Sequence, residues 1–345
     1  MPSFPKTYRK VVLTGFGDTL RGHTAIEDTP WQDPGPQEVV IRNVLAGVNG
    51  IYDLNMARNA VDYITISPPT DMGIEVVGRI VKVGTEVNGL VPGDAVATWK
   101  VGTGYRDYQV APVSRLYKVP APTAEILALI PTGASGLVGL EQVGEMTTGE
   151  VVAVSAAAGA LGHIVAQTAK LAGNHVIALA GSAEKCDRLR ALGLDRVIDY
   201  RKEDLAAVLT REYPKGIDIA YDSVGGEVFD IFLDHLAVHG RLIISGYTAE
   251  VGKPTDVSPR PRPWTQLYFK SASIRGFINP HFKQVEPRAI ARLLDLYARK
   301  RLQVWADPTP FVGLEAVVDA VEYLLAGKNL GKVIVKLADD PGPAV

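Results

Sequence analysis

Residues 151–193 constrain this chain more than any other stretch. An apolar run, a small-residue turn, a helix-spaced segment and a second apolar run follow one another without a break. Residues 151–155 (VVAVS) have strand length and β-branched content, and residues 175–180 (HVIALA) read as the next strand. Between them Leu161, Ile164, Val165, Thr168, Ala169 and Ala172 recur at helical spacing. The turn is Ala156-Ala157-Ala158-Gly159-Ala160-Leu161-Gly162. Small residues opening a helix let a pyrophosphate approach the backbone and rest on free N–H groups at the positive end of the helix dipole. Alanine holds the first place of the G-x-G-x-x-G pattern, and small residues also serve close strand–helix packing. It is therefore the strand-and-helix context that carries the dinucleotide reading.

The tip of the second strand discriminates between dinucleotides. An NAD site places Asp or Glu there, to accept from the ribose hydroxyls. Here the tip reads Ala180-Gly181-Ser182-Ala183-Glu184-Lys185. A hydroxyl, a backbone N–H and an ammonium suit a 2′-phosphate, which a carboxylate would repel. These residues predict NADPH, held by Ser182 and Lys185, with Tyr200 at the end of a third strand (196–200) adding a hydroxyl. The plainer alternatives are a solvated Lys185 and a packing role for Tyr200. Glu184 is expected to face away from Lys185.

At 345 residues the chain is longer than most single cores, so two domains are expected. The net charge of −2, with both signs intermixed, leaves no basic stripe for nucleic acid. No apolar run is expected to span a membrane, and the opening MPSFPKTYRK lacks the apolar core of a secretion signal. A lone Cys186 excludes an intrachain disulfide and a cysteine-built zinc site, and fits a reducing, cytoplasmic setting. Beside Lys185 its thiol has either a lowered pKa or a structural role; the structural role is expected.

Residues 1–122 read as all-β, with runs such as 39–48, 76–83 and 95–98 between glycine and proline turns. Gly73, Gly78, Gly84, Gly89 and Gly93 suit the corners of a small barrel. From 123 onward strands and helices alternate. Further strands at 217–221, 241–245 and 273–277 complete a doubly wound α/β pattern. A helix at 285–301 and a strand–helix–strand tail ending at 333–337 close the chain, and residues 338–345 are expected to be disordered. The Pro-rich segment Ser258–Trp264 is either a cover over the substrate or a surface excursion; Trp264 and Tyr268 are candidate pocket walls. His163 starts the helix, either near the phosphate or, as expected, on the helix surface; His281 lies in a loop where it could edge the pocket, and Asp222 is expected to cap the turn after its strand.

Several motifs run in order along nearly the whole chain. They include Gly47-Val48-Asn49, Gly73-x-Glu75-x-x-Gly78, Gly93-Asp94, Ala156-x-x-Gly159-x-x-Gly162, Gly181-Ser182-x-x-Lys185, Asp222-Ser223-Val224-Gly225-Gly226 and Gly327-Lys328-Asn329-Leu330-Gly331-Lys332. In these the chain resembles the zinc-free branch of the medium-chain dehydrogenase/reductase superfamily, and within it the NADPH-dependent prostaglandin reductases and quinone-oxidoreductase-like double-bond reductases. The resemblance implies a GroES-like β-barrel catalytic domain (1–122, completed by 302–345) and a Rossmann domain (123–301), with the active site in the cleft. It implies that Ser182, Lys185 and Tyr200 hold the 2′-phosphate, with Gly181 at the same tip. Ala156, Gly159, Ala160, Leu161 and Gly162 would line the pyrophosphate. Ser223, Val224 and Gly225 would pass the adenosine side, and Ser245, Gly246 and Tyr247 the nicotinamide. Phe277 would stand near the coenzyme, and Asn329 would reach it from the tail. Where the family has Thr-Ala this chain has Ser135-Gly136, and Ser135 keeps a hydroxyl for the carboxamide.

Zinc-dependent relatives carry Cys and His where this chain has Asn49 and Ile74, so no metal is expected. What remains is hydride delivery to the β-carbon of an α,β-unsaturated ketone or aldehyde, with the enolate oxygen met either by a tyrosine or by the coenzyme's ribose hydroxyl and the backbone alone. Asn49, Tyr52 and Asn55 lie in the loop that enters the family's cleft, and Tyr52 and Asn49 are the catalytic candidates; Asn279 is a further pocket candidate. The spacing before Asp53 is one residue longer than the family's. A quinone oxidoreductase and a nucleotide-binding protein without turnover are the alternatives, and a homodimer is the expected assembly.

Overall fold

The computed structural model describes residues 4–61, 63–251 and 262–343. The chain divides into two compact units: Met1–Pro131 with Ala306–Val345, and Thr132–Trp305. The first division falls nine residues beyond the expected place, inside a helix, and the second four residues beyond.

In the first unit the strands are β1 (Thr7–Leu13), β2 (Thr24–Pro30), β3 (Glu38–Gly47), β4 (Thr70–Asp71), β5 (Glu75–Val83), β6 (Ala95–Trp99), β7 (Tyr108–Pro112) and β8 (Tyr117–Lys118), with α1 (Gly50–Ala57) between β3 and β4. α2 (Ala124–Val138) leads out of it. The second unit carries β9 (Val151–Val154), α3 (Gly162–Leu171), β10 (His175–Ala180), α4 (Ala183–Ala191), β11 (Arg196–Asp199), α5 (Leu205–Glu212), β12 (Ile217–Asp222), α6 (Gly226–Asp234) and β13 (Leu236–Ile244). It continues through α7 (Trp264–Tyr268), β14 (Ser273–Gly276) and α8 (Glu286–Ala298). The chain returns to the first unit through β15 (Phe311–Val312), α9 (Val317–Leu325) and β16 (Ile334–Lys336).

The first unit is built from a seven-stranded sheet, β15-β16-β3-β5-β6-β8 with β7 on β3, and a three-stranded sheet, β2-β1-β4. Val39, Ile41, Ile80, Val96 and Ala111 form one of its cores. Gly78 marks a corner: a β-carbon there would overlap the Arg42 carbonyl, and the β3–β5 register shifts opposite it between Asn43 and Leu45.

The second unit is a six-stranded sheet, β11-β10-β9-β12-β13-β14, in which every pairing is parallel. This is the Rossmann order, with β9 central and the crevice at the carboxyl ends on either side of it. β9 and β10 are buried on both faces, as such sheets require. One face packs Ile177, Leu179, Ile198, Leu209, Phe232 and Leu242 together. α3 covers sheet with an almost wholly buried surface, from Gly162 to Ala169.

Four expectations need correction. The all-β stretch contains a helix, α1, where a loop was expected. β13 begins at Leu236 rather than 241: it pairs with β12 at Leu236, breaks register around His239, whose φ is +64°, and resumes pairing at Arg241. The stretch Ala124–Val143 is long and apolar enough, by length and composition, to cross a bilayer, yet 78% of it is buried inside the protein; it is apolar because it is a core helix. The tail is anchored as well: Leu337 and Ala338 donate to the Val44 carbonyl, and the Asp340 carboxylate takes Nε and Nη2 of buried Arg79 at 2.6 and 2.7 Å. Residues 344–345 of that tail lie outside the described residues, as do residues 258–261 of the Pro-rich segment.

Asp340→Ala is therefore expected to destabilise the first unit. Arg79 would keep only the Gly93 carbonyl, at 2.9 Å. A buried guanidinium losing its carboxylate costs about 2 kcal/mol where the partner is partly exposed. A chemical denaturation midpoint equal to that of the parent protein would refute the anchor.

Candidate functional site

At the crevice edge of the second unit, β9 ends in Ser155, whose Oγ donates to Asp222 Oδ1 at 2.6 Å. Asp222 also accepts from the N–H groups of Val224 (2.9 Å) and Gly225 (3.0 Å), and Ser223 N–H donates back to Ser155 Oγ at 2.9 Å. This is the turn-capping role expected of Asp222. Ser223 and Ser245 then meet Oγ to Oγ at 3.0 Å, which joins the tips of β12 and β13. Gly246 sits against the Ser223 carbonyl, and Tyr247 is exposed beside it.

The small-residue turn has the geometry of a backbone cradle. Ala156 adopts φ +45°, the left-handed conformation that glycine takes more readily. A β-carbon on Gly162 would overlap the Ala156 carbonyl oxygen, so the third glycine is sterically required. Ala160 and Leu161 are half-buried along the same turn. No side chain caps α3, and its first turn holds no acid, which leaves its amino end suited to an anion. Ser135 lies half-buried on α2, one residue before Gly136. A β-carbon on Gly136 would come within 2.8 Å of Val165 Cγ2, so the methyl that the family's alanine supplies is excluded by the close approach of α2 and α3.

At the β10 tip Ser182 caps α4, its Oγ accepting from Lys185 N–H at 3.3 Å. The hydroxyl proton stays available to an incoming oxygen. Tyr200 lays its phenol against Gly181, where a β-carbon would overlap the hydroxyl. Gly181, Ser182, Lys185 and Tyr200 are thereby brought to one tip, while Glu184 is exposed. Phe277 packs against Gly139 and lies edge-on to Phe282 at 6.1 Å. Asn279 has a buried Oδ1 with no hydrogen-bond partner. Trp264 and Tyr268 are 67% and 79% exposed on α7. His281 is exposed, and Cys186 is buried, which raises its thiol pKa. His163 is a correction: it is fully buried, not on the helix surface.

In the first unit, Asn49 precedes α1, and Tyr52, Asp53 and Asn55 stand on it. Asp53 Oδ2 accepts from Asn49 N–H at 3.2 Å and from Tyr105 Oη–H at 2.7 Å. Lys332 Nζ donates to Asn49 Oδ1 at 3.1 Å and pairs with Glu75. Lys332, Glu75, Asp53 and Tyr105 are all buried. Burial pushes the Asp53 carboxyl up to about 7, against the pull of Tyr105, the Asn49 amide and Lys332, with Glu75 adding to the rise. Tyr52 lies beside Tyr63, ring centroids 6.5 Å apart. Burial, then Tyr63 and Asp53, raise its phenol above the usual range and keep it an O–H donor. Asn329 is buried, with Nδ2 on the Gly331 carbonyl at 2.9 Å, so here its amide holds its own turn. The roles of Asp53, Tyr105 and Lys332 were missed from sequence. Glu75 and Lys332 stood within quoted motifs, but nothing in their spacing pairs them.

The raised Asp53 pKa makes a signed prediction. Between its ordinary value of 3.8 and about 7 the folded chain holds a proton that the unfolded chain has released. Stability from this group therefore falls as pH rises through that window. Asp53→Asn is expected to remove the decline and to gain about 2–4 kcal/mol on the parent between pH 5 and pH 8. Parallel urea-denaturation profiles for the two proteins would refute the assignment.

Comparison with known proteins matches residues 35–121 to the family described as "Alcohol dehydrogenase GroES-like domain" and residues 160–296 to "Zinc-binding dehydrogenase". The donors present do not fit the zinc of that second description. Asn49 Oδ1 is held by Lys332, Glu75 is paired with the same ammonium, Ile74 offers no donor, and no group of three His, Cys, Asp or Glu is gathered among the described residues. Prostaglandin reductase-3 of Mus musculus is 37% identical over 347 residues, covering 97% of this chain and 91% of that protein. A probable quinone oxidoreductase of Leishmania amazonensis is 34% identical, covering 97% of this chain and 99% of that protein. CurA of Vibrio vulnificus, solved in complex with NADPH, superposes with a TM-score of 0.82 at 26% identity, covering 96% of this chain and 99% of that one. With similarity of this extent to both its barrel and its Rossmann unit, the chain belongs to the medium-chain dehydrogenase/reductase superfamily.

Proposed function

We propose that this protein is an NADPH-dependent reductase of the C=C bond of α,β-unsaturated ketones and aldehydes, working without a metal and close in substrate class to 15-oxoprostaglandin enones. The observation that carries the coenzyme choice is the β10 tip, where Tyr200 lies against Gly181, Ser182 and Lys185 open α4, and no acid ends the strand itself. NADPH supplies the hydride. The chain's share is binding and orientation: the three tip residues take the 2′-phosphate, and the Ala156–Gly162 turn with the α3 amino end takes the pyrophosphate. Ser223 to Gly225, Ser245 to Tyr247 and Phe277 follow the strand ends past the rest of the coenzyme, with Ser135 available to its carboxamide.

Hydride arriving at the β-carbon of the enone leaves an enolate, whose oxygen needs a donor. Tyr52 is the candidate, because burial keeps its phenol protonated; the α-carbon takes its proton from water. A quinone as acceptor is the second reading, favoured by the similarity to the Leishmania amazonensis protein. We also propose a homodimer, joined along β14, the strand that leaves that edge of the sheet open and lies near exposed Tyr268 and Phe269. A monomer in sedimentation velocity would refute it.

Two measurements test the activity. Purified protein is expected to consume NADPH with an enone and to release the saturated ketone; turnover confined to quinones would replace the first reading with the second, and no turnover with either would end both. Lys185→Ala is expected to weaken NADPH binding roughly 10- to 100-fold while leaving NADH unchanged, since one charge-assisted phosphate contact is lost. Equal losses for both coenzymes would overturn the phosphate site.

A further inference from the structure

His163 is the second residue of α3, and its ring faces two backbone groups that are far apart in sequence. Nδ1 lies 2.7 Å from the Gly159 carbonyl oxygen, in the small-residue turn. Nε2 lies 3.0 Å from the backbone nitrogen of Trp305. A backbone N–H can only donate, so Nε2 is the acceptor. The proton is then on Nδ1, which donates to Gly159. Only the neutral ring in this one tautomer satisfies both partners.

The ring is also fixed in its plane, stacked on the Trp305 indole at 4.9 Å and 5°. The Arg188 guanidinium, from α4, lies 4.7 Å from the same indole. One helical turn on, Gln167 repeats the device: Nε2 donates to the Gln303 carbonyl and Oε1 accepts from Gln303 N–H, both at 2.8 Å. Two side chains four apart on α3 thus bind residues 303 and 305 as a neighbouring strand would. The turn that His163 grips contains Ala156 at φ +45°, a conformation that persists only where its surroundings enforce it.

We propose that His163 is a positioning residue for the coenzyme's pyrophosphate, clamping the Gly159 turn to the Gln303–Trp305 segment so that the turn keeps its binding shape. This rests on the dinucleotide reading above. The ring's environment is consistent with it. Burial, and then the charge of Arg188, press the imidazole toward its neutral form, against the pull of the Gly159 carbonyl.

The test compares two ligands by calorimetry: NADP+, which carries the pyrophosphate, and 2′-AMP, which carries only the 2′-phosphate. His163→Phe keeps the stacked ring and removes both hydrogen bonds. It is expected to weaken NADP+ about tenfold, the loss of one or two net hydrogen bonds, while 2′-AMP binds as before. Equal losses for both ligands would mean general damage to the unit, and no loss would mean an inert clamp; either overturns the proposal. His163→Asn, which keeps a donor near the Nδ1 position, is expected to fall between the parent and His163→Phe, and a loss as large as that of His163→Phe would also overturn it. If the parent protein binds neither ligand, it is the dinucleotide reading that fails instead.

Discussion

One buried carboxylate shapes the crevice edge of the Rossmann sheet. Asp222 gathers donors from the Ser155 hydroxyl and the Val224 and Gly225 backbones, and its own carbonyl accepts from Ser245 N–H at 2.8 Å. The tips of β9, β12 and β13 are thereby tied at a single point. All three side-chain partners are donors, so an acceptor-only group is the one that satisfies them; an amide of the same shape would turn its own N–H toward one of them. Where the strand tips sit decides where backbone N–H groups and serine hydroxyls can meet a ligand. Coenzyme geometry therefore traces back to a residue that touches no part of it on this reading.

The barrel unit shows the same economy with a different charge. Lys332 sits between the Asn49 amide and the Glu75 carboxylate. Buried charges survive only when paired and hydrogen-bonded. One ammonium faces two carboxylates here, and the raised Asp53 carboxyl holds its proton more readily than an exposed one would. Tyr105 and the Asn49 N–H converge on the same Asp53 oxygen, which fixes the start of α1 and with it the direction in which Tyr52 leaves the helix.

The β9–α3–β10 crossover was legible because it is buried on both faces. Its strands must then be continuously apolar and its helix apolar at nearly every turn, which leaves a pattern strong enough to read. α1 was not legible, since N-G-I-Y-D-L-N-M-A opens on turn-forming residues and only burial of Leu54, Met56 and Ala57, with the Asp53 contact, holds it helical. Gly240 reads as the start of a strand that in fact passes through it. The burial of His163 depends on Trp305, and the order of the tail on Arg79 meeting Asp340. These are pairings across 142 and 261 residues that no local pattern encodes. The strand tips of the candidate site were readable from local sequence; the groups that hold those tips in place were not.

The end of β11 gives the coenzyme proposal a second support. An acid does stand one strand over from the β10 tip: Asp199 ends β11, but its side chain is buried, accepting from Arg201 N–H at 3.2 Å and lying 3.8 Å from Lys202 Nζ. Tyr200, the first residue after β11, lays its phenol against Gly181, while the Asp199 side chain is turned inward. A slip of one residue would bring the carboxylate to the place of the phenol and repel a 2′-phosphate. Arg201 and Lys202 follow Asp199, and the two acids after them are engaged locally: Glu203 on Arg196, and Asp204 on the Ala207 N–H at the start of α5. On the proposed reading, preference for the phosphorylated coenzyme is thus set by the register of two adjacent strands together, and Lys185 supplies the direct contact.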